Sequence, residues 1–312
     1  MIDRHLTATA FLAMLPGMNF PGSKQSAGVW QRLINLMPPH SVYIEAFLGS
    51  GTLMRMKRPA RLNIGLDLDP ASLKLAVSAE PFRGPHTVKT AMVDAVAAAT
   101  AIMPRSAALA GKGDARAHFA FFRGDGIEFL ERYPFTGDEL VYCDPPYLLS
   151  TRSRKRIYRY EMSDVAHARF VEAAGKCPAH VMISGYWSKL YAERLAGWRS
   201  IKYQVMTRGG LRTEWLWFNF PRPRRLHDYD QVGQDFRSRE CIRRKAGRWV
   251  AKLGRLPSLE RNAMLALIEV LWQPRLGFRR REMIRRKIER LTGGLGRLEE
   301  LERNAIINAL RG

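Results

Sequence analysis

Four residues near the middle of the chain, Asp144-Pro145-Pro146-Tyr147, bring together a carboxylate, two fixed φ angles and an aromatic ring. They follow an apolar run, Glu139-Leu140-Val141-Tyr142-Cys143, that reads as a strand, and they precede a burst of basic and aromatic residues. Two prolines remove two backbone N–H donors and leave the carbonyls of the loop rigid and free to accept hydrogen bonds. A carboxylate, fixed carbonyls and an aromatic face together suit a planar ring carrying an amino group. A stiff turn with a solvated Asp and a packed Tyr has the same composition, so the elements around the tetrapeptide must decide.

Upstream, residues 42–47 read as a buried strand that runs at once into Leu48-Gly49-Ser50-Gly51 and a helix over 52–57. In an open α/β sheet this order makes a nucleotide pocket, because glycines let a ligand approach the backbone and the next helix offers free N–H groups. A lone G-x-G is weak by itself. A second short strand, 62–66, ends in Asp67-Leu68-Asp69. An acid about twenty residues after the glycines suits the two hydroxyls of a ribose. Either acid can instead cap the helix expected over 70–79. A further strand, from Phe119, ends in Asp125, with a short helix over 127–133.

Earlier, Phe20-Pro21-Gly22-Ser23-Lys24 is a turn with one glycine and a cation, leading into a helix over 29–36 that Pro38-Pro39 ends. Residues 81–116 are Ala-rich and weakly patterned, with a helix-like stretch over 93–103. After the tetrapeptide comes a basic run that includes Arg152, Arg154, Lys155 and Arg156, interleaved with hydroxyls and two tyrosines. Such runs are usually solvated; beside the proposed pocket this one reads as a phosphate-gripping loop. A helix over 162–174 capped by Ser163 or Asp164, a strand over 179–186 and a hairpin of 201–206 with 213–220 across Gly209-Gly210 complete the pattern.

The 312-residue chain is long enough for one large domain and a smaller one. Its three cysteines are far apart, which speaks against a disulfide framework or a zinc site, and no metal is expected. No secretory pattern and no run of roughly 20 apolar residues is present, so a soluble intracellular protein is expected. The net charge of +22 favours a polyanion, and seven Trp, ten Tyr and many Arg favour nucleic acid over a membrane surface. Residues 222–312 carry 23 basic and 11 acidic side chains, more than half of the excess.

That last third contains an internal repeat. Arg239-Glu240-Cys241-Ile242-Arg243-Arg244-Lys245 returns as Arg281-Glu282-Met283-Ile284-Arg285-Arg286-Lys287, and two further matches fall at the same offset without a gap. A duplicated helical hairpin is expected. Ile242, Ala246, Trp249, Val250 and Leu253 form an apolar stripe in the first copy. Arg243, Arg244, Lys245, Arg285, Arg286 and Lys287 lie mostly off the stripes and read as rows that neutralise phosphates, with a solvated face or pairing between subunits as alternatives. The expected division is 1–221, a linker over 222–238, and 239–312.

Taken in order, the motifs resemble the DNA adenine methylases, the S-adenosylmethionine-dependent N6-adenine methyltransferases whose cofactor motifs precede the catalytic one. The resemblance covers about 19–220 and rests on Phe20-Pro21-Gly22-Ser23-Lys24, Glu45-Ala46-Phe47-Leu48-Gly49-Ser50-Gly51, Asp67, Asp125 and Asp144-Pro145-Pro146-Tyr147, with later matches over 181–186 and 212–217. It implies a Rossmann-like α/β methyltransferase sheet with helices on both faces, to which the basic helical repeats are added. It implies that Phe20 and Lys24 help hold the methionine end of the cofactor, with the Gly49 to Gly51 loop beneath it, and that Glu45 and Phe47 also bind the cofactor. Asp67 would take the ribose and Asp125 would lie near the cofactor's adenine. Asp144 and the Pro145 carbonyl would accept from the amino group of a flipped adenine, with Pro146 stiffening the loop and Tyr147 stacking on the base. Double-stranded DNA is the implied partner. Ala46 stands where the family usually has Pro, and the stretch about 70–118, where the family commonly reads its site, is short. Methylation of cytosine N4 or of adenine in RNA, and a silent nucleic-acid-binding protein, are the rival readings.

Overall fold

A strand buried on both faces must be apolar at consecutive positions. The computed structural model describes residues 24, 28–78, 82–91, 95–109, 116–152, 157–207, 210–270, 282–284 and 286, and in it the expected central strands meet that condition. Phe20, Arg154, Lys155, Arg156, Arg285 and Lys287 lie outside the described residues. The elements in chain order are α1 (Val29–Ile34), β1 (Val42–Glu45), α2 (Thr52–Met56), β2 (Leu62–Asp67), α3 (Pro70–Ser78), β3 (His86–Ala91), α4 (Ala95–Leu109), β4 (Ala117–Arg123) and α5 (Gly126–Arg132). They continue with β5 (Glu139–Cys143), α6 (Asp164–Lys176), β6 (His180–Gly185), α7 (Lys189–Arg194), β7 (Arg199–Thr207), β8 (Gly210–Phe218), α8 (Phe236–Gly254) and α9 (Ser258–Val270).

The eight strands form one sheet in the order β3-β4-β2-β1-β5-β6-β8-β7. β3, β4, β2, β1, β5 and β6 pair in parallel, and β7 and β8 close the sheet as an antiparallel hairpin against β6. This is a Rossmann-like α/β sheet. From β1 the chain builds outward through β2 and then returns to lay β5 on the other side of β1. Loops leaving the carboxyl ends of β1 and β5 therefore diverge, and an open α/β sheet binds ligands in the crevice at that switch point.

Side-chain alternation assigns the two faces. Ile44, Ile64, Phe122 and Val141 face a core shared with Phe129 of α5 and Phe170 and Val171 of α6. Tyr43 and Glu45 point to the opposite face, as do Phe119 and Phe121, whose rings pack at 4.1 and 5.9 Å from Phe82. Gly126, the first residue of α5, lies so close under β1 that a Cβ there would sit 2.2 Å from the Ala46 carbonyl oxygen. Both partners are backbone, so neither can swing away. Gly126→Ala is expected to destabilise the protein by about 1–3 kcal/mol, read as a lower denaturation midpoint at unchanged slope.

Two elements depart from the sequence reading. The stretch about 70–118, expected to hold a reduced recognition segment, is built in its described parts from α3, β3 and α4, ordinary sheet and crossover elements. β3 escapes a periodicity search because it is a half-exposed edge strand with a lysine, Lys89, on its exposed side. α7 is a six-residue helix opened by Ser188, whose hydroxyl accepts from the Tyr191 N–H, and is too short to show a helical stripe.

The chain divides into two units, Met1–Ser26 with Ser41–Asn219, and Ala27–His40 with Phe220–Gly312. The sequence reading instead divides the chain after residue 221. In the second unit the His227 N–H donates to the Met37 carbonyl at 2.9 Å, the His40 and His227 rings stack at 3.8 Å, and Asn35 Nδ2 donates to the Gln231 carbonyl at 2.5 Å. The expected linker over 222–238 is therefore tied to α1 by hydrogen bonds. α8 begins with a capping box, Asp235 with Ser238. Its apolar stripe is half-buried except for Leu253, which is buried along with Met264 and Ile268. Among the described residues no helix is long and apolar enough to cross a membrane.

Candidate active site

The loop after β1 turns through two glycines with positive φ, Gly49 at 52° and Gly51 at 61°, values that residues with a Cβ adopt at a cost. The Gly49 N–H donates to Asp67 Oδ2 at 2.8 Å and the Asp69 N–H to Asp67 Oδ1 at 2.8 Å. Asp67 thus ties the end of β2 to the glycine loop. Burial raises its pKa, opposed by those two N–H groups. Asp69 takes the other role foreseen for this pair and caps α3, its Oδ1 accepting from the Ala71 N–H at 3.1 Å. Glu45, at the end of β1, is buried and accepts from the Tyr43 hydroxyl at 2.9 Å. Burial pushes its carboxyl up to about 7, against the Tyr43 hydrogen bond and the charges of Arg55 and Lys57.

These groups open onto a cavity of about 250 Å³ whose wall also includes Lys24, Phe47, Leu48, Asp69, Gly124, Gly126, Asp144, Pro146 and residues 157–162. Gly49 and Ser50 of the glycine loop and Asp144 and Pro146 of the tetrapeptide therefore share one cavity, whereas Gly51, Pro145 and Tyr147 do not line it. Asp125 does not line it: Gly124 and Gly126 form that part of the wall, and Asp125 caps α5 by accepting from the Ile127 N–H at 2.7 Å.

At the tetrapeptide end, Asp144 follows β5 and lies at the centre of a buried polar cluster. Lys24 Nζ is 3.0 Å from Asp144 Oδ1 and 3.1 Å from Glu214 Oε2, and it donates to the Tyr147 hydroxyl at 2.6 Å. That hydroxyl donates in turn to Asp144 Oδ1 at 3.2 Å, and the Tyr203 hydroxyl donates to Glu214 Oε2 at 3.2 Å. Burial pushes the Asp144 carboxyl up to about 6; Lys24 pulls it down and Glu214 pushes it further up. Burial works against the Lys24 ammonium, yet Asp144 and Glu214 together hold its pKa well above the ordinary range. One cation thus serves two carboxylates, and the cluster keeps an excess of negative charge inside a strongly basic chain. Pro145 is buried and Pro146 half-buried. The Tyr147 ring meets Tyr186 edge-on with centroids 4.6 Å apart.

Lys24, which the resemblance places at the methionine end of a cofactor, lines the cavity and is also bonded to the tetrapeptide itself. Glu214 was missed, although an acid within the apolar strand Trp215-Leu216-Trp217-Phe218 was a visible anomaly. Arg152, expected to grip phosphate, pairs with a carboxylate of its own loop. Its side chain is 4% exposed and held by Glu161, with Nη2 2.5 Å from Oε2 and Nη1 3.2 Å from Oε1. Glu161 also accepts from the Ile157 and Tyr158 N–H groups, so Arg152 fixes the far end of its own loop, and Ile157, Tyr158, Arg159 and Tyr160 close the cavity. Among the other basic residues, Arg243 pairs with Glu240 on α8, Arg244 Nε donates to the Glu240 carbonyl at 3.4 Å, Lys245 is half-buried, and Arg286 lies 3.6 Å from Glu282 with its side chain 74% exposed.

No protein-family model matches this sequence, and no curated protein does. Among solved structures, the precorrin 8W decarboxylase of Methanobacterium thermoautotrophicum aligns at 10% identity over 66% of this chain and 96% of its own, with a TM-score of 0.36. An rRNA methylase of Streptococcus thermophilus aligns at 10% identity over 63% of this chain and 97% of its own, TM-score 0.35. TrmK of M. capricolum, in complex with S-adenosylhomocysteine, aligns at 9% identity over 89% and 96%, TM-score 0.33. At these identities and scores the likeness does not bear on the reaction of this chain.

Proposed function

We propose that this chain transfers a methyl group from S-adenosylmethionine to the N6 amino group of adenine in duplex DNA, with the base flipped out of the helix. The observation that carries the reading is one cavity at the switch point, lined by Gly49, Glu45 and Asp67 at one end and by Asp144 and Pro146 of the tetrapeptide at the other. The residues fit the donor. Phe47, Leu68 and Ile157 supply apolar wall, Asp67 keeps free lone pairs for a ribose diol, and Glu45 with the unbalanced Asp144 and Glu214 charge suits a cation. When bound, the donor supplies an electrophilic methyl on a sulfonium.

The chain does the rest by orientation. Asp144 and the Pro145 carbonyl accept from the amino group, which draws the nitrogen lone pair out of conjugation. Lys24 fixes the Asp144 carboxylate by its 3.0 Å contact and favours its charged form. Asp144 can also take the proton that the amine must lose. Extrusion of the base costs a few kcal/mol, offset by a basic chain on a polyanion.

With Asp144 pushed up to about 6, kcat/KM for the nucleic acid should fall as pH drops through about 6, because the protonated acid loses its role as acceptor. Glu45, pushed up to about 7, should act on donor binding instead and so enter kcat/KM for the donor. A pH–rate profile measures both limbs. The reading itself is tested by incubating the protein with methyl-labelled S-adenosylmethionine and either duplex DNA or RNA. Label in DNA supports it, label in RNA alone changes the substrate, and label in neither overturns it.

A further inference from the structure

A second cleft, of about 520 Å³, shares no lining residue with the first and is bounded by Ser150, Thr151, Tyr186, Trp187, Ser188, Lys189, Arg212 and Thr213. Its walls come from the turn after the tetrapeptide, the segment from the end of β6 into α7, and the inner strand of the closing hairpin. Trp187 is 54% exposed, so part of its indole surface is open at the cleft. Lys189 and Arg212 are exposed beside it, and no carboxylate is among the lining residues; Lys189 lies 3.7 Å from Glu193 along α7. Several of the hydroxyls are already used: Ser188 caps α7, Thr151 donates to the Leu148 carbonyl, and Thr213 accepts from Gln204. What the cleft offers is therefore an open indole face and two cations. Tyr186 belongs to this cleft and touches Tyr147, so the cleft starts one ring away from the proposed adenine site.

We propose that this cleft holds the nucleotide next to the target base in the same strand, with Trp187 stacking on its base and Lys189 and Arg212 gripping its flanking phosphates. The assignment rests on the methyltransferase reading for what occupies the neighbouring site. The charge and the flat ring by themselves call for a nucleotide strand, since every base has a stackable face and every linkage an anion. A flipped base opens its strand locally, and the neighbour it unstacks from gains a new partner.

Fluorescence anisotropy with labelled single-stranded DNA and RNA oligonucleotides, over a range of salt, separates the contributions. Trp187→Ala should weaken binding about tenfold with little change in salt slope, and Trp187→Phe should restore much of it. Arg212→Gln and Lys189→Gln should each lower the slope by about 0.7. Unchanged affinity in Trp187→Ala, with circular dichroism as in wild type, overturns the assignment, as does binding of an acidic protein partner in place of oligonucleotides. If wild type binds oligonucleotides through Trp187 yet methylates nothing, the cleft stands and the methyl-transfer reading falls.

Discussion

Asp144→Asn should fold, bind the methyl donor and transfer methyl groups about 10²–10³-fold more slowly. The substitution keeps the shape of a side chain that is 16% exposed at the mouth of β5, but it removes the charge and puts an N–H₂ where an acceptor is required. An asparagine can still present one oxygen to Lys24 or to the substrate, not a carboxylate to both. The Tyr147 hydroxyl would lose an ionised acceptor and keep its bond from Lys24. Because the main defect lies in orienting the amine, kcat should fall by far more than donor affinity. Equal donor affinity by calorimetry with unaltered kcat would contradict the role given to Asp144.

Lys24→Met should cost about 3–5 kcal/mol of stability at pH 8, the penalty for stranding buried charge by removing one partner. Two carboxylates, Asp144 and Glu214, depend on this one ammonium at 3.0 and 3.1 Å. The sign of the pH dependence follows from protonation. With the cation gone the carboxylates can become neutral only by taking protons, so the penalty should shrink as the pH falls. In the wild type, Lys24 has a folded pKa raised above its ordinary value. Its contribution is complete below about 10.5 and is lost only as the pH rises through the folded value. Asp144 acts with the same sign in a lower window. Its folded pKa is about 6 against an ordinary 3.8, so the folded state binds more protons between those values and its ionisation lowers stability as pH rises across that window. Urea midpoints of wild type and Lys24→Met at pH 5 and pH 8 test this, and a gap that fails to widen at pH 8 would count against the shared-cation cluster.

The parts of the site that were legible in the sequence are those fixed by local order. A strand, two glycines and a helix put Gly49 and Gly51 on a loop, and a strand ending in Asp67 put that acid beside them. Asp144 was legible for the same reason. What stayed hidden depends on contacts across the chain. Lys24 and Glu214 are 190 residues apart in sequence and meet only once β8 has paired with β6. Arg152 looked like any other member of a basic run, because residue type does not reveal that Glu161 occupies it. Residues 29–34 form the expected helix, yet nothing local says that Asn35 and Met37 bond to the segment after Phe220. β3 was hidden by its edge position, which removes the alternation that betrays a buried strand.

The central claim is that Asp144-Pro145-Pro146-Tyr147 holds the amino group of a flipped adenine against the methyl donor. Mass analysis of nucleosides from duplex DNA incubated with the protein and isotope-labelled S-adenosylmethionine tests it most directly. The account predicts labelled N6-methyldeoxyadenosine with wild type and almost none with Asp144→Asn. Label on cytosine N4, or equal label from wild type and Asp144→Asn, would contradict it.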